Sequence, residues 1–239
     1  MCIIIFMGPP GTGKGTLAQV CQKQFGWNHI STGALCREYA QRTDDLGQQI
    51  AQRIDNGFLI ENSLMMRMLE DSLSQKKNNN SNNSLPVILD GFPRTIEQVD
   101  LLTGLFQNNK QLLFVFFDAT EDVVIQRLRN RIVCSNSLCD KIYSVYTALS
   151  MTCPACGSQL IKRKDDSEAI IYNRLKIYYS TADVLKQYIF DKHINYIELN
   201  AELSKQDIFD KFIFLYNQKM SILKINSHGD SNVFNKNKE

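Results

Sequence analysis

The chain has 239 residues, 44% of them hydrophobic and 22% charged, with a formal net charge of +2. That length suits one or two domains with a buried core, and the near-neutral balance gives no case for a nucleic-acid or membrane-surface protein. No apolar run reaches the roughly 18 residues of a membrane-spanning helix, and the opening MCIIIFMG lacks the positive n-region of a signal peptide, so the expected compartment is the cytoplasm.

Taken in chain order, the apolar, β-branched run Ile3–Phe6 predicts a strand. A glycine-rich loop follows, and helical spacing resumes over Thr16–Phe25. A weaker strand falls at Asn28–Ile30 and a helix at Leu64–Leu73. The polar, low-complexity KKNNNSNNS, Lys76–Ser84, reads as a flexible surface loop. Then come strand Val87–Leu89, helix Ile96–Phe106, strand Leu112–Phe117 and helix Glu121–Arg131. Cys134–Ile161 has short polar and aromatic pieces and no convincing helix, as expected of a small insertion. Helix Ala169–Ile189, strand Tyr196–Leu199 and helix Lys205–Tyr216 complete the alternation, and the polar end Asn226–Glu239 is expected to fray. Strands alternating with helices predict an open α/β fold, and runs without clean alternation suit a parallel sheet covered on both faces.

The loop Gly8-Pro9-Pro10-Gly11-Thr12-Gly13-Lys14-Gly15-Thr16 lies between a strand and a helix, the context in which a phosphate loop is credible. Backbone N–H groups of such a loop converge on phosphate oxygens, and the helix start adds partial positive charge. Lys14 supplies a full charge. In the commonest version a hydroxyl residue follows the lysine directly; here Gly15 intervenes before Thr16.

That variant, with HISTGALCRE from His29, VILDGFPRTIEQ from Val87, RLRNRIVC from Arg127, KRKDD from Lys162 and then Arg174, resembles the adenylate kinases in order and spacing from Ile3 to about Tyr188. The resemblance implies a phosphate-loop core with a five-stranded parallel sheet (residues 1–30, 62–129 and 167–239), an AMP-binding helical segment (31–61) and a long lid (130–166). It implies a monomer that transfers a phosphoryl group reversibly between MgATP and AMP, with no nucleic-acid or membrane partner. A kinase for UMP or CMP, or a non-catalytic nucleotide-binding regulator, are the alternatives.

Two polyanions brought together need many cations and no protein nucleophile. By resemblance, Lys14, Arg94, Arg131, Arg163 and Arg174 serve the transfer. Gly11, Thr12, Gly13, Lys14, Gly15, Thr16, Arg127 and Arg131 hold ATP. Thr32, Arg37, Phe58, Leu59, Ile60, Gly91, Arg94, Gln98, Arg163 and Arg174 hold AMP, with Thr32 and Gln98 facing the adenine. Arg127 and Arg131, four apart, are expected on one helix face, and Arg129 has no expected role. Asp90, at a strand end, resembles the carboxylate that organises magnesium through waters. Asp165 and Asp166 resemble partners of the lid arginines, with solvated surface acids as the alternative. Ala34 stands where the family usually has the aspartate of STGD.

Of seven cysteines, Cys2, Cys21 and Cys36 read as small buried or half-buried residues. Cys134-x4-Cys139 and Cys153-x2-Cys156 sit in the insertion, with Pro154 and Gly157 suited to a knuckle-like turn. Two thiolate pairs suit a structural zinc site; free thiols and a redox dithiol are the other readings.

Overall fold

The computed structural model describes residues 2–79, 85–105, 112–136, 139 and 141–229. Strands β1 (Ile3–Met7), β2 (Asn28–Ser31), β3 (Val87–Asp90), β4 (Leu112–Asp118) and β8 (Tyr196–Asn200) form one parallel sheet in the order β2-β3-β1-β4-β8. Every residue of β1 is buried, because side chains alternate between two covered faces. Ile3, Ile5 and Met7 join Leu89, Phe114 and Phe116 on one face. Ile4 and Phe6 join Ile88, Val115, Phe117 and Leu199 on the other.

Helices fill both faces. The first layer is met by α2 (Thr32–Tyr39), α3 (Asp45–Asp55), α4 (Asn62–Asn79), α5 (Ile96–Leu105) and α7 (Glu168–Asp191). The second is met by α1 (Lys14–Phe25) and α8 (Lys205–Gly229), whose Leu17, Cys21, Ile208 and Phe212 close over Trp27. Helix α6 (Glu121–Arg129) packs on α7 through Val124, Leu128, Ile171 and Leu175.

Between α6 and α7 the chain departs from the main sheet. Strands β5 (Arg131–Cys134), β6 (Ile142–Ser144) and β7 (Leu160–Ile161) form a small antiparallel sheet in the order β6-β5-β7. Among the described residues, its core is Ile132, Cys134, Cys153 and Leu160, with Cys139, Tyr143 and Ala148 against them.

Three sequence expectations are corrected here. Helix α6 stops at Arg129, with Asn130 as its cap, so Arg131 opens a strand and shares no helix face with Arg127. Helix α4 continues through Asn79, into the stretch expected to be a loop; residues 80–84 of that stretch lie outside the described residues. Helix α8 runs on to Gly229, into the end expected to fray; residues 230–239 lie outside the described residues. Polar residues such as Lys, Gln and Ser carry a helix well enough when no Gly or Pro interrupts it.

Phe114 is fully buried between strand neighbours and Phe116. Phe114→Ala is expected to cost about 3–5 kcal/mol, the usual penalty for emptying an aromatic site, read as a lower urea midpoint at an unchanged m-value.

Candidate active site

Position β1 between β3 and β4 and the chain must leave its carboxyl end at a reversal of strand order, where open α/β sheets leave a crevice. The glycine-rich loop sits there. Gly13 caps α1 at φ 87°, a left-handed conformation open to glycine at little cost. Gly91, just past β3, has φ 88°, and a Cβ there would lie 2.7 Å from Thr32 Oγ1.

A cleft of about 750 Å³ opens above these strand ends. Lining it are Gly11, Thr12, Gly13, Lys14, Gly15 and Thr16, together with Arg37, Arg94, Arg127, Arg131, Arg163 and Arg174. Leu59, Asp90 and Gly91 line it too. Thr32, Phe58, Ile60 and Gln98, expected on the same site, do not. Thr32 and Gln98 are 1% and 3% exposed, Ile60 is buried, and Phe58 is exposed to solvent. Thr32 donates from Oγ1 to the Asp90 carbonyl at 3.1 Å.

Lys14, Arg94, Arg127, Arg131 and Arg174 each have an internal partner. Lys14 Nζ curls over its own loop and donates to the carbonyls of Gly8 and Pro9, both at 2.8 Å, and to Thr12 Oγ1 at 3.2 Å. Arg94 Nε donates to the Gly91 carbonyl at 2.7 Å, and Arg127 Nη1 to the Ala201 carbonyl at 2.6 Å. Arg131 grips Asp166 through both branches of its guanidinium, Nε to Oδ2 at 2.7 Å and Nη2 to Oδ1. Arg174 Nη1 reaches the Asp165 carbonyl at 3.1 Å, Asp165 Oδ2 at 3.2 Å and Asp166 Oδ1 at 3.4 Å. Both acids lie on the short 3-10 turn Lys164–Asp166, and the Asp166 side chain is 2% exposed. They are partners of the arginines and not solvated surface charges. Arg129 pairs with Glu168, away from the cleft.

Crowding shifts the charges. Burial pulls the Lys14 ammonium down to about 8; Asp90 pulls back, and Arg94, Arg174 and Arg131 add to the fall. Burial likewise brings Arg174 down to about 10 against Asp165, so it stays charged at neutral pH. Burial works to raise the Asp90 carboxyl, but the His29 ring, Lys14 and Arg94 together outweigh it and hold the group below the usual carboxylate range. His29 Nε2 lies 3.9 Å from Asp90 Oδ2, too far for a hydrogen bond, and has no partner. Sequence reasoning missed two site neighbours. One is His29, on β2 beside Asp90. The other is Asn62, whose Oδ1 accepts from Gln98 Nε2 at 2.7 Å. An asparagine at a helix start carries no signal that would have singled it out.

In the insertion, the sulfurs of Cys134, Cys139, Cys153 and Cys156 lie within 4.8 Å of one another. Cys134 and Cys156 Sγ are 3.3 Å apart, Cys139 and Cys153 Sγ 3.8 Å. Four thiolates at about 2.3 Å from one zinc stand about 3.8 Å apart along a tetrahedron's edge, so the donor set fits such an ion. Gly157 N donates to the Cys153 carbonyl at 2.8 Å, closing the knuckle-like turn.

Known proteins bear on this arrangement. A model of the adenylate kinase family matches residues 6–194. The chain belongs to the adenylate kinase family. Among curated relatives, an adenylate kinase of Kosmotoga olearia is 36% identical over 214 residues, covering 87% of this chain and 95% of its own length. One of Borreliella burgdorferi is 32% identical over 206 residues, covering 84% and 93%. One of Mycoplasmopsis pulmonis is 32% identical over 222 residues, covering 91% and 98%. Family membership makes the chain a phosphotransferase of the nucleoside monophosphate kinase class. Among the described residues, no helix is long and apolar enough to cross a membrane.

Lys14 gives a pH prediction whose sign is fixed. Its pKa is about 8 folded against an ordinary value of 10.5, so between those values the unfolded chain binds the extra proton. The penalty of a charged Lys14 is therefore fully present below pH 8 and relieved as pH rises to 10.5. Lys14→Met should be at least as stable as the wild type at pH 7, and the stability gap between them should close across that window. Parallel profiles in chemical denaturation would contradict it.

Proposed function

We propose that the chain transfers the terminal phosphoryl group of MgATP to AMP, reversibly, giving two ADP. The observation that carries this reading is the gathering of Lys14 and six arginines, from separate parts of the chain, around one cleft at the sheet's carboxyl ends. A phosphate oxygen of AMP attacks the γ-phosphorus in line, the bond to the bridging β–γ oxygen breaks, and ADP leaves. Charge spreads over the three equatorial oxygens of the moving group.

Each residue then has a task. Backbone N–H groups of Gly11, Gly13, Gly15 and neighbouring Thr12 and Thr16 cradle the donor phosphates, with Lys14, Arg127 and Arg131 as counter-charges. Arg37 and Arg94 hold the acceptor phosphate, and Arg163 and Arg174 grip the group in flight. Asp90 organises magnesium, which arrives with ATP, through its waters. Thr32, Phe58, Leu59, Ile60, Gly91 and Gln98 serve AMP, with Thr32 and Gln98 facing its adenine; movement of residues 31–61 on binding brings Thr32, Phe58 and Ile60 to the base and the base to Gln98. Residues 130–166 act as a lid over the core formed by 1–30, 62–129 and 167–239. Closing it matters energetically. A unit charge about 4 Å from another is worth about 1 kcal/mol in water but about 4 kcal/mol at an effective dielectric near 20.

The lid's four cysteines would hold zinc as a closed structural centre that supplies no step of the reaction. A sheet with so small a core gains stability from a cross-link. Monomeric action in the cytoplasm completes the proposal; the near-neutral charge and the cysteine-rich lid suit a reducing compartment.

A coupled assay of MgATP against a panel of monophosphates tests the reading. AMP should exceed UMP and CMP by about tenfold or more in kcat/KM, and Lys14→Met should lose more than ~10²-fold in turnover. Preference for UMP, or full turnover by Lys14→Met, would overturn it.

Elemental analysis should find close to one zinc per chain. Cys153→Ser should lower that stoichiometry and the melting temperature while sparing turnover in the cold. Full stability in metal-free protein purified without chelator would leave these cysteines as ordinary thiols.

A further inference from the structure

An amide side chain is nearly two-fold symmetric in shape, so only its partners decide which branch is oxygen. For Gln98 the decision starts from the backbone. The Arg94 N–H can only donate, and it points at Gln98 Oε1 at 2.6 Å. The other branch is therefore Nε2, and it donates to Asn62 Oδ1 at 2.7 Å. Turning Gln98 over would set N–H against N–H at Arg94, whereas Asn62, itself an amide, takes the sense that meets Gln98. The Arg94 N–H, in the turn after β3, thus sets the sense of the amide, and Asn62, at the start of α4, holds its Nε2 branch in place. Those bonds use two of its four hydrogen-bonding positions and leave one N–H and one lone pair.

That remaining pair is a recognition element with polarity. Adenine offers an amino donor at N6 beside the ring acceptor N7; a 6-oxopurine offers an acceptor, O6, in the amino group's place. An amide held with its oxygen toward the 6-position accepts from the amino group and meets O6 lone pair to lone pair.

We propose that Asn62 is a positioning residue for base choice: by anchoring the Gln98 amide in the sense that the Arg94 N–H sets, it makes the acceptor site favour AMP over 6-oxopurine monophosphates such as IMP. This rests on the assignment of Gln98 to the acceptor base. Asn62 touches neither reacting phosphate. Its effect therefore falls on acceptor KM and selectivity, because a site built on buried polar groups rejects a ligand that leaves them unpaired.

The test measures kcat and KM for AMP and for IMP, at saturating MgATP, in the wild type and in Asn62→Leu, Asn62→Asp and Gln98→Ala. Asn62→Leu, similar in size but without an acceptor, should lower the AMP:IMP ratio of kcat/KM about tenfold, mainly through a higher KM for AMP, with kcat for AMP changed less than about twofold. Asn62→Asp keeps an acceptor opposite Gln98 Nε2 and should hold the ratio within about threefold. Thermal melting checks each fold, and Asn62→Ala replaces the leucine variant if that one does not fold. An unchanged ratio in Asn62→Leu beside a lowered one in Gln98→Ala would overturn the role of Asn62 alone. So would an equal fall in Asn62→Asp and Asn62→Leu. An unchanged ratio in Gln98→Ala would instead remove Gln98 from the base, and the inference with it.

Discussion

Like charges packed into one cleft repel, and a charge taken from water costs more than its neighbours usually return. Lys14, Arg94, Arg127, Arg131 and Arg174 meet that constraint through internal acceptors. Lys14 folds over the carbonyls of its own loop. Arg94 and Arg127 use carbonyls of Gly91 and Ala201. Arg131 and Arg174 share the two acids of a single short turn. Those acceptors are carbonyls and carboxylates at hydrogen-bonding distance, and phosphate oxygens offer the same chemistry with more charge. On the function proposed above, a loaded nucleotide replaces partners that already exist, and little has to be reorganised at the moment of transfer.

The sheet makes this possible by direction alone. Parallel strands send their carboxyl ends to one edge, so the loops after β1 and β3 bring Lys14, Asp90 and Arg94 together although they are far apart in sequence. The full burial of β1 and most of β4 anchors that edge on both faces. The small sheet of the insertion has no comparable core, and Arg131 stands on its first strand. Whatever stabilises that sheet therefore fixes the direction from which Arg131 enters the cleft, and the four-sulfur cluster beside β5 is placed to do so.

Much of this was legible in the sequence, for local reasons. Four strands of the main sheet are short apolar runs and β2 is a weaker one, and the predicted bounds of all five differ from the observed ones by only a residue at an end. The glycine loop declared itself through its strand-and-helix context. What failed to show was set by tertiary contacts. Nothing in RLRNRIVC marks Asn130 as the place where helix gives way to strand, so Arg127 and Arg131 read as one helical face. The extension of α4 past Lys76 ran against a composition that suggests loop. The link from Gln98 to Asn62 spans 36 positions and involves two amides with no motif around the second. Among the expected site residues, those of the phosphate loop and the arginines came to one cleft, while Thr32, Phe58, Ile60 and Gln98 stand outside it.

On the function proposed, the cleft takes phosphate charge independent of any base. Calorimetric titration of the chain with inorganic tripolyphosphate, at low and at high salt, isolates that property. The account predicts measurable binding that weakens steeply with salt, as screening of several opposed charges requires, and that is lost in Lys14→Met. Absence of binding at low salt, or binding that salt leaves unchanged, would contradict it.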